Sequence, residues 1–195
     1  GQTSGTITVN EGDEVLLDFT ANEGFALDTV TVDSTATKFN TEESGYKFED
    51  VDTNHKIVVV YAEDKIGPDD KPDGIPDKYQ VTVVYATTEG GSVNPTGPEV
   101  LTIYADDGVT YAEAGDVTAK GPTAAPDADY FFTKWTVAVD ENEPADALIY
   151  GSTTGPIILS TAYGGQVYTF TAHFEKKTYG LETVKTLISV GETQI

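Results

Sequence analysis

Hydrophobic and polar positions alternate with a period of two along most of the chain, the signature of half-buried strands. Val15, Leu17 and Phe19 fall on one face of such a stretch, with Asp18 and Thr20 on the other. Val30 and Val32 alternate with Thr29, Thr31 and Asp33, and Tyr168, Phe170, Ala172 and Phe174 with Val167, Thr169, Thr171 and His173. The runs from His55 to Tyr61 and from Tyr79 to Tyr85 are denser in apolar residues, as expected of strands covered on both faces. Turn-formers separate these stretches, among them Glu11-Gly12-Asp13, Asn22-Glu23-Gly24, Gly90-Gly91, Asn94-Pro95 and Gly164-Gly165. Helical spacing is confined to 144–150 and 181–189, both short. The pattern predicts a mostly β chain with little helix. Thr (29 residues) and Val (20 residues) reinforce this, because branching at Cβ favours strands.

Residues 64–78 break the alternation with three Pro, two Gly and five Asp. Such a stretch cannot sit inside a sheet and reads as a linker. Residues 1–63 hold 13 acids against 3 Lys, and residues 81–175 hold 13 against 2, so charge splits evenly around it. The halves also share an order of features. Gly12-Asp13-Glu14-Val15 opens a strand, an acidic turn follows at Ala21 to Phe25, then a strand at 29–33, and Ile57 to Tyr61 closes. Gly115-Asp116-Val117-Thr118, Ala125 to Tyr130, Phe131 to Asp140 and Tyr168 to Phe174 repeat that order. The expected organisation is two small β-rich modules in tandem, β-grasp-like or β-sandwich-like. Module 1 spans 1–63, the linker 64–78, and module 2 spans 79–175 with an insertion at about 141–165. A tail of unassigned role covers 176–195. Module 1 lacks the leading strand that Tyr79 to Tyr85 gives module 2. It is therefore expected to expose a sheet edge or to borrow a strand from 182–190.

These residues resemble the divergent internalin B-repeat type of module found in tandem in bacterial surface proteins. The likeness rests on Gly90-Gly91-Ser92-Val93, Ala125-Pro126-Asp127, Phe132-Thr133-Lys134-Trp135 and Thr169 to Phe174 in the second half. In the first half it rests on Gly24 to Asp33 and Tyr46 to Val51. It covers most of 5–175, and its motifs are structural. The resemblance implies a secreted, wall-associated, cell-surface address.

Composition narrows the function classes. All 11 basic residues are Lys, set against 33 acids, for a net charge of −22. Such a surface repels phosphate backbones and anionic lipid headgroups, and it discourages self-association, so a monomer is expected. No apolar run approaches the ~20 residues that span a bilayer. With no Cys, disulfides, thiolate metal sites and thiol nucleophiles are excluded. With no Met, the sequence reads as a processed or excised piece.

The sharpest local motif is Asp69-Asp70-Lys71-Pro72-Asp73-Gly74-Ile75-Pro76-Asp77, which is similar to Asp-rich calcium loops. Asp69, Asp73 and Asp77 would hold a calcium ion through alternating side chains, with Gly74 permitting the turn. Lys71 stands where an oxygen ligand belongs, and Gln80 where a bidentate Glu belongs. A solvated acidic linker accounts for the motif more simply and is the leading reading. His55 and His173 are the only imidazoles, and surface or strand-edge roles are expected for both, His173 facing outward. Tyr130, Phe131, Phe132 and Trp135, with Tyr104, Tyr111, Tyr150 and Tyr163, could stack on sugar rings. Alternation instead places Phe131, Trp135, Val137 and Val139 on one inward face, with Tyr130 and Phe132 opposite. A Lys–Asn or Lys–Asp isopeptide cross-link is compatible with the composition, but no pair is singled out. The reading is a non-catalytic surface-display or adhesion repeat region with spacer or interaction modules and a host or cell-wall protein or glycan as partner. Its alternatives are a carbohydrate-binding module and a calcium-stiffened linker.

Overall fold

Val- and Thr-rich alternating stretches fold as strands, joined where Gly, Asn and Asp permit tight turns. The computed structural model describes residues 4–37, 45–67, 71–140, 146–148 and 151–180. Five strands precede the Pro- and Asp-rich stretch: β1 Val15–Asp18, β2 Phe25–Val32, β3 Thr35–Thr37, β4 Gly45–Phe48 and β5 Ile57–Glu63. After it come a 3-10 turn at Asp77–Tyr79, then β6 Gln80–Thr87, β7 Gly91–Asn94, β8 Glu99–Thr102, β9 Ala114–Ala119 and β10 Thr123–Pro126. β11 Tyr130–Val139, β12 Asp146–Leu148, β13 Ile157–Tyr163 and β14 Val167–Lys176 complete the order. The protein is mostly β, built from several small sheets, and among the described residues no sheet closes into a barrel.

Strand pairing among the described residues stays within 15–63 or within 80–176. In the first group β1 pairs β4, and β2 lies between β3 and β5. In the second group β9 pairs β13, and β11 lies between β12 and β14. The same antiparallel pairings therefore recur in the same chain order. A bulge marks equivalent points, between Leu27 and Thr29 in β2 and between Phe132 and Lys134 in β11. Aligned on these bulges, Tyr61 corresponds to Phe174, Val59 to Ala172, Ile57 to Phe170 and Val30 to Trp135. The second group adds β6, which runs parallel to β14, along with β7, β8 and β10.

The stretch 141–165, expected as an insertion, carries β12 and β13, the counterparts of β3 and β4. The two connections, 33–56 and 140–166, are of similar length. What sets the second group apart is its extra strands. Asp146–Leu148, inside a stretch with helical spacing, is a strand because β11 offers it an open edge to pair with. The other helical candidate, 181–189, lies outside the described residues, as does the proposed donor 182–190.

The core belongs to the second group. Val81, Val83 and Tyr85 of β6, Trp135 of β11 and Phe170, Ala172 and Phe174 of β14 meet Val93, Val117, Ala119, Ala124, Leu159 and Ala162 from the two-stranded pairs. This is a two-layer packing of alternate inward-facing side chains. Gly90 and Gly91 are required here: a Cβ on Gly90 would enter the Tyr130 ring, and one on Gly91 the Phe174 ring. Among the described residues of the first group only Ala26, Val30 and Val32 are buried hydrophobics. Leu16, Phe25, Val58, Val60 and Tyr61 stay exposed.

Candidate functional site

The stretch read as a linker forms a bonded joint between the two groups of strands. Residues without sheet partners must satisfy their amides elsewhere, and here carboxylates do so. Asp64, at the end of β5, is buried; its backbone N–H donates to Gly24 O at 2.9 Å. Its carboxylate accepts from the amides of Asp73 (3.2 Å) and Gly74 (2.9 Å). Asp77 Oδ1 accepts from the amides of Lys65 (2.8 Å) and Ile66 (2.9 Å). Asp73 Oδ1 accepts from Ile75 N–H (3.0 Å), and its Oδ2 from Gln80 Nε2 (2.9 Å). Gln80 is buried, and its Oε1 has no hydrogen-bond partner.

Of the three residues expected to hold calcium, two are placed by the structure. Asp73 and Asp77 lie in one loop, and each spends an oxygen on a backbone amide, which an N-terminal cap or Asx turn does in the same way. Asp69 lies outside the described residues. Among the described residues no group of three or more His, Cys, Asp or Glu side chains is arranged to hold a metal ion.

A second set of bonds crosses from β2 to the 3-10 turn. Asp28 occupies the bulge of β2, and the bulge turns its side chain toward the joint. Its Oδ1 accepts from Tyr79 Oη at 2.6 Å, and its Oδ2 pairs with Lys78 Nζ at 3.0 Å. Lys78 also reaches Glu113 at 3.1 Å and lies 4.7 Å from the centre of the Tyr79 ring. Burial works against the Lys78 charge, yet its bonds to Asp28, Tyr79 and Glu113 outweigh that and raise its pKa above the ordinary lysine value. Burial, then the Asp28 carboxylate, raises the Tyr79 phenol. Gly164 presses on the Lys78 carbonyl so closely that no Cβ fits between them. Sequence reasoning missed Asp28, Asp64, Lys78 and Gln80 as a set, because nothing local links position 28 to 78 or 64 to 73.

The aromatic candidates divide. Trp135 is fully buried, and its indole Nε1 donates to Gly151 O at 3.2 Å. Phe132 packs with Trp135 (5.6 Å between ring centres) and Phe174 (6.1 Å). The expected grouping of Phe131 with Trp135 and of Phe132 opposite is therefore wrong. The bulge inserts one residue, which inverts the alternation, so Phe132 faces the core and Phe131 faces solvent. Tyr130 packs against the core cluster. Tyr104 and Tyr163 are exposed, and Tyr150 lies outside the described residues. Tyr79, Tyr111 and Tyr104 form a row with ring centres 5.6 and 5.7 Å apart.

Both histidines make structural bonds. His55 Nδ1 lies 2.6 Å from Asp33 Oδ2, and its ring stacks on Phe48 at 4.6 Å. The His55 bond, followed by the Lys56 amide, lowers the Asp33 pKa. His173 lies on the face of β14 opposite the buried Phe174, as expected, but that face is partly covered. His173 is half-buried, with Nε2 2.8 Å from Thr136 Oγ1. Burial, aided by the Lys134 charge, lowers its pKa. The Gly115-Asp116 motif is structural as well, since Asp116 Oδ1 accepts from Thr161 N–H (2.9 Å) at the bulge of β13. Among the described residues no helix is long and apolar enough to cross a membrane. No family model, curated protein or solved structure matches the chain.

Proposed function

We propose that this chain is a non-catalytic repeat region of a secreted bacterial cell-surface protein, which holds a binding element away from the surface as a stiff spacer. The observation that carries this reading is the joint. A spacer transmits position only if its connections resist bending, and a free Asp/Pro/Gly linker bends at little cost. Here Asp64, Asp73 and Asp77 tie the connecting backbone to itself, and Asp28 ties β2 to Tyr79 and Lys78. The recurring strand pairing and the resemblance to surface-protein repeats support the same reading. Charge of one sign keeps neighbouring copies apart and soluble at a crowded surface.

The chain lacks cysteine, so single cysteines at exposed Leu16 and Ile158 accept spin labels cleanly. The distance distribution between the labels is expected to be narrow and to broaden in Asp28→Ala. A broad distribution in the parent chain would defeat the spacer reading. Antibody raised against the chain should stain intact cells of its source; staining only after permeabilisation would defeat the proposed address.

A second reading, carbohydrate binding, draws on the row Tyr79, Tyr111 and Tyr104, whose outer member is exposed. Its test is a glycan array comparing the parent chain with Tyr104→Ala.

A further inference from the structure

The first and last strands of the second group, β6 and β14, are neighbours inside its five-stranded sheet, with β8 beyond one and β11 beyond the other. They run parallel, and six residue pairs join them, from Thr82 opposite Val167 to Thr87 opposite Ala172. The ladder is closed at both ends. At one end Gly165 N–H donates to Gln80 O at 2.8 Å and Thr82 N–H to Gln166 O at 3.0 Å. At the other, Thr88 N–H donates to Ala172 O at 2.9 Å, and Thr88 Oγ1 accepts from Phe174 N–H at 3.1 Å. Val83, Tyr85, Phe170 and Ala172 are buried on the core face of the pair, which keeps water from that side of its bonds.

Chain order and strand direction fix how this ladder meets a load. Tension along the backbone enters the second group at the start of β6 and leaves at the end of β14. In a parallel pair those points lie at opposite ends, so a pull slides one strand along the other and strains every rung together. In an antiparallel pair the same pull opens the rungs one at a time. A hydrogen bond of about 2.9 Å is lost by about 3.6 Å, so sliding must break all the rungs within about 1 Å of travel. Peeling instead frees about 3.3 Å of each strand for every residue released.

The first group has no such pair. β5, the counterpart of β14, has β2 on one side and, among the described residues, no strand on the other. Its first and last strands, β1 and β5, belong to different sheets. Load crosses between those sheets through side chains, and among the described residues the buried hydrophobics there are Ala26, Val30 and Val32.

We propose that the second group is a load-bearing module whose β6–β14 pair holds the chain under tension, and that the first group is the part that yields and extends. This goes beyond the spacer reading, which concerns bending in the absence of load and is decided by the label distances alone.

The test is single-molecule force spectroscopy. The full chain, held by tags at its two ends, should unfold in two steps, with the first group at the lower force. Released length identifies each step: at ~3.5 Å per residue, residues 80–176 release about 300 Å and residues 15–63 roughly half that. Two double-cysteine variants of the full chain then change only the direction of load on the second group. Lys71→Cys with Tyr179→Cys pulls β6 and β14 from opposite ends, whereas Glu89→Cys with Tyr179→Cys pulls both from the same end. All three positions are exposed, and the chain has no cysteine of its own. The first variant should yield at a force at least about twofold above the second, because its rungs break together. A smaller ratio between the two directions overturns the proposal. So does a step for 80–176 at or below the force of the step for 15–63, or a single step that releases both lengths.

Discussion

Removing the Asp28 carboxylate should weaken the second group of strands, although Asp28 belongs to the first. Its side chain is only 8% exposed and serves two partners, Tyr79 Oη at 2.6 Å and Lys78 Nζ at 3.0 Å. A hydrogen bond to a charged group contributes about 1.5–3 kcal/mol. The Lys78 pair adds less, on the order of 0.2–1 kcal/mol, because the lysine side chain is 37% exposed and keeps Glu113 as a partner. Asp28→Ala should therefore cost about 2–4 kcal/mol where the joint is intact. Trp135 is the only tryptophan and sits in the second core, so its fluorescence reports that core alone. At a urea slope of about 1–3 kcal/mol/M, the tryptophan midpoint should fall by roughly 1 M or more. Tyr79→Phe should produce part of this loss. The double variant should cost less than the two single losses combined, leaving a coupling of about 1–2 kcal/mol. Asp28→Asn, which keeps an acceptor for Tyr79, should recover part of the loss. If the tryptophan midpoint stays at its parent value in Asp28→Ala while circular dichroism of the whole chain shifts, the two groups unfold independently. The joint then transmits no stability, and the reasoning fails.

Thr161 adopts φ 54°, a left-handed conformation that a β-branched residue resists, so Thr161→Gly should raise stability by about 1 kcal/mol in a chemical melt. Gly164→Ala should destabilise by about 1–3 kcal/mol because its methyl meets the Lys78 backbone, while Gly151→Ala, with open space around it, should stay within about 0.5 kcal/mol; paired thermal melts decide. Burial and Lys134 depress the His173 pKa below its ordinary value of 6.5, so the unfolded chain takes up this proton first. The neutral imidazole's contribution is complete above about pH 6.5 and is lost as pH falls from there through the folded value. His173→Gln should accordingly flatten the fall in stability between about pH 7 and 5, read as the difference between two urea series. An unchanged slope would remove the burial argument.

The strands were legible because alternation is a local property: Val30 and Val32, or Phe170 and Ala172, declare a strand from their own neighbours. The recurring order was legible for the same reason, since Gly12-Asp13 and Gly115-Asp116 open equivalent strands. Faces were less legible. One extra residue at Thr133 exchanges Phe131 and Phe132 between solvent and core, and only the register opposite β14 reveals it. The joint was illegible for a different reason. Composition gives the number of carboxylates but not their partners, and water or a backbone amide satisfies Asp64 and Asp77 equally well in a sequence. Their partners lie at 73–74 and at 65–66, brought together only once the chain has turned. The features that ruled out a sheet across 64–78 are also those that make a tight connector. Pro removes amide donors that would need partners, Gly permits close turns, and Asp supplies acceptors for the donors that remain. An acidic Pro/Gly stretch between two β regions is therefore as consistent with a fixed joint as with a flexible one. What separates the two is whether a strand on either side projects a side chain, here Asp28, into the turn that follows.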